Sequence, residues 1–194
     1  MKNKFNAGQY AADYFKALHT CLKKIPLEDI DKVVNLIYSA YQNGNKIFVM
    51  GNGGSASTAS HFVNDLNKLC AVEGKKRFKA ISLSDNIPWV TAIANDISYG
   101  EIFVEQLKNL LEKDDLIIAI SGSGNSKNVV NAAIYGRENN AKVIGFLGFD
   151  GGKLKKIVDT KILAPIKHYG IVEDAHLIFA HIVSNYLRER IRGE

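Results

Sequence analysis

The hydrophobic residues of this chain recur at two different spacings, and the change between them predicts the elements. Residues Ala7–Leu22 and Leu27–Asn43 have the three-to-four spacing of amphipathic helices, and the second helix is bounded by Pro26 and Gly44. Apolar runs typical of buried strands lie at 46–50, 78–83, 116–120, 143–147 and 161–164. Further helical patterns cover 56–70, the stretch after 126 to about 139, 152–158 (weakly) and 172–190.

Strands that alternate with helices indicate a parallel sheet, because parallel neighbours need long crossover connections. Continuous apolar runs, rather than alternating ones, indicate that both faces of the sheet are covered. The pattern therefore predicts an α/β fold: a three-layer αβα sandwich with a mainly parallel five-stranded sheet, preceded by N-terminal helices. We expect one domain over residues 1–194, with helices in 1–45 and a ligand-binding core in 46–194.

Two glycine- and serine-rich loops follow strong strand candidates. The first loop, GNGGS at 51–55, follows the run at 46–50, and the second loop, SGSGNS at 121–126, follows the run at 116–120. Glycine lets a backbone approach a phosphate closely, and a helix N-terminus favours negative charge. One such loop alone would be read as an ordinary capped turn, but two in one small domain, both after strong strand candidates, favour anion binding. Neither loop matches a P-loop or a dinucleotide-binding fingerprint.

Composition narrows the class of protein further. The 194 residues carry a net charge of +5, which suits a small anionic ligand and gives little reason to expect nucleic acid. Cys21 and Cys70 lie in no metal-binding spacing, so we expect packed, reduced thiols. The polar opening at 1–15 has no signal-peptide pattern and no apolar run reaches membrane-spanning length, so we expect a cytoplasmic protein without membrane contact.

Several ordered motifs together resemble a known family. They are GNGGS at 51–55, His61, TAIAND at 91–96, SGSGNS at 121–126 and DGGKL at 150–154. This set is similar to the sugar-isomerase (SIS) domain, a flavodoxin-like fold, and specifically to the sedoheptulose 7-phosphate isomerases (phosphoheptose isomerases). The resemblance implies interconversion of sedoheptulose 7-phosphate and D-glycero-D-manno-heptose 7-phosphate. This reaction belongs to the biosynthesis of bacterial heptose, which is used in lipopolysaccharide or capsule.

The resemblance also implies binding sites and assembly. It implies a homotetramer, in which we expect the N-terminal helices to take part. The positions that match the family's substrate-binding residues are Asn52, Gly53, Gly54, Ser55, Asn95, Asp96, Ser121, Gly122, Ser123, Ser126 and Glu173.

An aldose–ketose isomerase moves a proton between adjacent carbons and needs a base, an acid and a group that stabilises negative charge. His61 and Asp65 are four residues apart on one predicted helix, and Glu173, His176 and His181 lie on the last one. The resemblance implies a zinc ion at His61, Asp65, Glu173 and His181, with Asp65, Glu173 and His181 as catalytic residues.

The chain departs from the family at two of these positions. Asp65 replaces a glutamate and Glu173 replaces a glutamine, and a shorter base withdraws its oxygen by about 1.5 Å, enough to cost about a hundredfold in rate. We therefore hypothesise that Glu173 takes over proton transfer while Asp65 remains a metal ligand. For His176, a place in the core is favoured over a place in the site.

Two alternative functions remain open at the level of sequence. The segment at 165–170 differs from the family, so the enzyme could isomerise another phosphosugar. A non-catalytic SIS protein, either a phosphosugar sensor or a tetramer that binds the replication initiator, is the other alternative; His181, which the initiator-binding branch lacks, favours catalysis.

Overall fold

A computed structural model describes residues 6–194, and a five-stranded sheet forms its centre. The strands are β1 (Lys46–Met50), β2 (Lys79–Ser82), β3 (Leu116–Ser121), β4 (Lys142–Gly148) and β5 (Thr160–Ala164). Their order is β2-β1-β3-β4-β5, and every neighbouring pair is parallel. The predicted α/β fold with a parallel sheet is confirmed.

Helices cover both faces of the sheet. They are α1 (Ala7–Leu22), α2 (Leu27–Asn43), α3 (Gly54–Asn64), α4 (Ile87–Asp96), α5 (Val104–Leu110), α6 (Lys127–Glu138) and α7 (Tyr169–Arg192). Successive residues of β1 point to opposite faces: Ile47 and Val49 pack in a core with α1, α2, α3 and α7, whereas Phe48 and Met50 pack in a second core with α4, α5 and α6. The three-layer sandwich therefore has one hydrophobic core on each side of the sheet.

The predicted bounds of α1, α2 and β1 are confirmed, but two helices were missed. Helix α4 is rich in β-branched residues, which lower helix propensity, yet its start carries a recognisable signal. The side chain of Asn86 accepts a hydrogen bond from the Trp89 amide at 3.2 Å, and Pro88 occupies the first turn. The short helix α5 lies in the same connection between β2 and β3 as α4.

Three predicted helices differ in extent from those observed. The segment 152–158 forms only a short 3-10 turn at Leu154–Lys156, and α7 begins three residues earlier than expected. The helix predicted at 56–70 runs as an α-helix only to Asn64 and continues as a π-helix at Asp65–Leu69, where the Cys70 amide donates to the Asp65 carbonyl at 2.9 Å. The wider turn accommodates one extra residue.

The N-terminal helices pack against the rest of the chain. The Tyr14 hydroxyl on α1 donates to the Asp174 carboxylate on α7 at 2.6 Å, and burial together with this bond raises the pKa of Tyr14 to about 12. Cys21 and Cys70 are both free and buried, as expected. Part of the polar opening at 1–15 lies outside the described residues. Within residues 6–194, no helix has the length and apolar character needed to cross a membrane.

Candidate functional site

The two predicted anion-binding loops line one cleft of about 260 Å³. They follow β1 and β3, which are directly paired, so both lie at the carboxyl edge of the sheet. The residues that line the cleft are Asn52, Gly53, Gly54, Ser55, Ile120, Ser121, Gly122, Ser123, Ser126, Tyr169 and Glu173. The structure thus brings together the predicted substrate-binding residues of both loops and Glu173.

The first loop requires its glycines. A β-carbon on Gly51 would lie 2.7 Å from the backbone of Ser55, and Gly53 has φ +55°, a conformation that favours glycine. A β-carbon on Gly54 would lie 2.6 Å from both carboxylate oxygens of Glu173. Helix α3 begins at Gly54, beside the cleft, and its Ser55 and Ala56 amides donate back to carbonyls of the first loop at 3.0 Å.

The second loop is held by its own hydroxyl groups. The Ser121 hydroxyl lies 3.3 Å from that of Ser126 and accepts from the Gly124 amide at 3.2 Å. The loop is also braced from outside, because the Lys153 amide donates to the side-chain oxygen of Asn125 at 3.1 Å. These contacts hold the serine hydroxyls at the N-terminus of α6, where a phosphate would be favoured.

A second group of polar residues lies where α3 and α7 meet. Nε2 of His61 and Nε2 of His181 are 2.9 Å apart, and Oδ2 of Asp65 lies 3.6 Å and 3.8 Å from them. The two imidazoles are about half exposed, whereas the Asp65 side chain is only 10% exposed. Ser184 donates to Asp65 at 3.4 Å. We call His61, Asp65 and His181 the histidine cluster.

Glu173 is separate from the histidine cluster. The donor atoms of the cluster lie within 4.8 Å of one another, and Glu173 does not belong to this group. Its carboxylate lies in the cleft, against Gly54. Glu173 and His181 are eight residues apart on α7, a rise of about 12 Å along the helix axis. The structure therefore joins three of the four residues expected to hold zinc and places the fourth beside the loops.

Comparison with known proteins identifies the family. Residues 9–148 match the SIS domain family. The chain belongs to the SIS-domain family. The resemblance read from the loop motifs is thereby confirmed, and the matched region includes most of α1 and all of α2.

Individual SIS-domain relatives cover most of the chain. A phosphoheptose isomerase of Geotalea daltonii is 39% identical over 165 residues, covering 85% of each chain. One from Helicobacter pylori is 38% identical over 173 residues, covering 87% of this chain and 89% of the relative. The structure of a phosphoheptose isomerase from Neisseria gonorrhoeae superposes with a TM-score of 0.84 at 28% identity, covering 94% of this chain and 96% of that one.

The donor set of the SIS domain's histidine cluster fits a divalent metal ion. Two imidazole nitrogens and one carboxylate oxygen are the ligand types that zinc takes in catalytic sites, where a fourth position stays open. The half-exposed imidazoles leave a side of the cluster accessible from solvent. The Ser184 hydroxyl lies 3.4 Å from the carboxylate, where ligating carboxylates commonly have an outer partner, but its single proton is shared with the closer Ala180 carbonyl at 2.8 Å.

His176 occupies the core of the SIS domain rather than its site. The side chain is fully buried, Nε2 lies 3.0 Å from the Leu147 carbonyl, and the ring lies beside Phe146. Burial lowers the pKa of His176 to about 4, so the ring is neutral at physiological pH. The structural interpretation favoured for this histidine is confirmed.

Two of the expected substrate-binding residues lie away from the cleft lining. Asn95 and Asp96 are exposed at the end of α4, where the Asn95 amide group donates to the Asp96 carboxylate at 2.7 Å. Neither is among the residues that line the cleft. Their role in substrate binding stays a prediction.

Three residues near the cleft were missed from the sequence. Tyr169 lines the cleft, with its ring against Gly122 and edge-on to Phe149 at 4.9 Å. Asn128 and Tyr99 both hydrogen-bond to Asn52. Tyr169 lies within the segment at 165–170 that departs from the family, and that departure was the available signal. Asn128 and Tyr99 approach Asn52 through long-range contacts, which no local sequence pattern indicates.

Proposed function

We propose that this protein is an isomerase that interconverts sedoheptulose 7-phosphate and D-glycero-D-manno-heptose 7-phosphate in bacterial heptose biosynthesis. One observation carries the proposal: both glycine–serine loops and the carboxylate of Glu173 line a single cleft. An anion-binding wall and a proton-transfer group then face the same ligand. The similarity to phosphoheptose isomerases over most of the chain supports the choice of substrate.

The phosphate group is assigned to the second loop. Ser121, Ser123 and Ser126 supply hydroxyl groups there, and α6 supplies a helix N-terminus. The first loop, with the start of α3, then borders the sugar hydroxyls. This orientation places the Glu173 carboxylate beside the carbon chain rather than beside the phosphate.

Glu173 is assigned as the base. Its carboxylate takes the proton from the carbon next to the carbonyl and returns it to the neighbouring carbon, through an enediol. His181 is assigned as the acid that moves the proton of the substrate oxygen when its Nε2 is not bound to zinc, because a nitrogen that binds the metal carries no proton. Asp65 is the less suitable base because it is buried between two imidazoles, outside the cleft lining.

A zinc ion is the proposed cofactor, and His61, Asp65 and His181 would hold it. Glu173 as a fourth ligand stays a prediction. Zinc would supply a Lewis acid that stabilises negative charge on the substrate oxygens. The fit of the donor set supports this proposal. In the proposed metal site, Asp65 would orient the two imidazoles in addition to binding the ion.

We also propose a single domain and a cytoplasmic homotetramer whose contacts include the N-terminal helices. Tyr10 and Phe15 on α1 are 67% and 68% exposed, and large exposed apolar side chains favour a protein interface. The packing of α1 and α2 in the same core as α7 supports one domain. Size-exclusion chromatography with light scattering tests the oligomer.

An NMR assay with sedoheptulose 7-phosphate, with and without zinc, tests the function. We expect conversion by the parent protein, faster with zinc, and little conversion by Gly54→Ala, whose new β-carbon would collide with the Glu173 carboxylate. Gly193→Ala is the matched control, because its β-carbon has ordinary contacts only. Faster conversion of another ketose phosphate would change the assigned substrate. If no ketose phosphate is converted, the proposal is overturned.

A further inference from the structure

The first loop is attached to the rest of the protein by a reciprocal pair of carboxamides. Nδ2 of Asn52 donates to Oδ1 of Asn128 at 2.8 Å, and Nδ2 of Asn128 donates to Oδ1 of Asn52 at 2.9 Å. Asn128 is 1% exposed, and its Oδ1 also accepts from the Val129 amide at 3.0 Å. The two asparagines are 76 residues apart in the chain.

The side chain of Asn52 is nearly saturated by protein contacts. Its oxygen accepts from Asn128 and also from the Tyr99 hydroxyl at 2.9 Å, which uses both lone pairs of the carbonyl. Its nitrogen gives one of two protons to Asn128. One N–H remains for a ligand, so the side chain serves mainly to hold the loop rather than to bind the substrate.

The position of the pair connects the two halves of the cleft. Asn52 lies in the first loop between two glycines, which have no side chains that could anchor it. Asn128 lies in the first turn of α6, directly after the second loop. The carboxamide pair therefore crosses from one loop to the helix that begins at the other.

We propose that Asn128 is a positioning residue, which sets the separation of the two loops by holding Asn52. This inference rests on the proposed function, because the loops are taken to bind one sugar phosphate. Asn128 does not line the cleft and acts through Asn52. Since a misplacement of about 1 Å can cost about a hundredfold in rate, a loop released by loss of Asn128 is expected to lower kcat/KM for the sugar phosphate.

Kinetics of three variants test the proposal. Asn128→Ala is expected to raise KM for the sugar phosphate about 10- to 100-fold and to leave kcat within about threefold, since ground-state and transition-state binding fall together. Asn52→Ala is expected to match it. The double variant is expected to equal each single one, because residues that act as a unit are not additive.

Two further variants separate positioning from folding. Asn128→Asp keeps the size of the side chain and the oxygen that accepts from Asn52 and Val129, but it replaces the nitrogen that donates to Oδ1 of Asn52 with a second oxygen; we expect KM to rise as in Asn128→Ala, although no cavity is made. Asn139→Ala is the matched control, because Asn139 lies at the C-terminal end of the same helix and its side chain bonds to the Tyr135 carbonyl of that helix, away from Asn52 and Tyr99. It is expected to lower stability and leave KM unchanged.

A substrate-free measurement keeps this inference distinct from the proposed function. The backbone amide signals of Gly53 and Gly54 in NMR spectra are expected to shift in Asn128→Ala and to stay in place in Asn139→Ala. If the parent converts no phosphosugar, the function fails while these shifts still test the positioning. Unshifted amides, an unchanged KM in a folded Asn128→Ala protein, or additive effects in the double variant would each overturn the inference.

Discussion

The cleft and the histidine cluster are built in opposite ways. The cleft is formed mostly by backbone: glycines allow the loops to turn, and hydroxyls and carboxamides hold them in place. The histidine cluster is formed by side chains on two helices, with a buried carboxylate between two half-exposed imidazoles. Recognition of an anion in the cleft thus depends on chain path, whereas the metal chemistry of the cluster depends on residue identity.

Helix α7 connects the two regions and separates their functions. Tyr169 and Glu173 project from its first two turns into the cleft, while His181 lies two turns later in the cluster. Substitutions along α7 can therefore change one region without the other.

The carboxylates of the two regions should have different roles. Glu173→Gln removes the proposed base and is expected to lower kcat about 10²- to 10⁴-fold. Zinc affinity, measured by calorimetry, then tests its predicted part as a ligand: it falls if Glu173 binds the ion and stays unchanged if His61, Asp65 and His181 hold it alone. Asp65→Asn is expected to weaken zinc binding as well as turnover. If Glu173→Gln turns over as well as the parent while Asp65→Asn is inactive, the exchange of roles is wrong.

Loss of one imidazole should affect only the cluster. His181→Ala is expected to weaken zinc binding by more than the 10- to 100-fold that losing an outer partner costs, because a direct ligand is removed. Affinity for inorganic phosphate, measured by NMR titration, is expected to stay unchanged. His19→Ala, at an exposed histidine on α1, is the control. A parallel loss of phosphate affinity would show that the regions are not separable.

The buried histidine between the two regions should affect stability alone. Because the pKa of His176 is about 4 in the folded protein and about 6.5 when unfolded, the unfolded chain binds more protons between these values. Its contribution to stability is present above about pH 6.5 and is lost as the pH falls towards 4, on the order of 3 kcal/mol. Urea unfolding across this range should show a smaller pH-dependent loss for His176→Gln; equal losses would contradict the assignment.

The smallest effect is expected on the side of α7 that faces α1. Tyr14→Phe removes the hydrogen bond to Asp174 and should lower the free energy of unfolding by about 1 kcal/mol. Thermal unfolding measures this change, and zinc and phosphate binding should both match the parent. A changed affinity for either would mean that the α1–α7 contact adjusts the position of α7.

The sequence predicted most of the fold because helical hydrophobic spacing and apolar strand-like runs alternate clearly along the chain. Strand β3 is apolar at five successive positions, and all six of its residues are buried, as a central parallel strand requires. Helix α4 was missed because β-branched residues weakened its helical pattern, although Asn86 and Pro88 marked its start. A helix start signal can therefore be more informative than the periodicity behind it.

The candidate site was only partly predictable for a different reason. His61 and Asp65 are one turn apart on a helix, so their proximity followed from local geometry. The pairing of Asn52 with Asn128 depends on which strands are neighbours, and no local spacing encodes that. The departure of Glu173 from the cluster likewise depends on how α7 crosses the sheet.

The wide turn that follows α3 makes chain length, and not only residue type, a variable in this stretch. Removing one residue between 66 and 69 would let an ordinary α-helical turn close there, because the wide turn accommodates one extra residue. The chain on either side would keep its direction, so the thiol of Cys70, 3.2 Å from the Ser184 carbonyl, would keep its place against α7. An alignment gap at this turn would therefore mark relatives in which α3 continues past Asp65 as an ordinary α-helix.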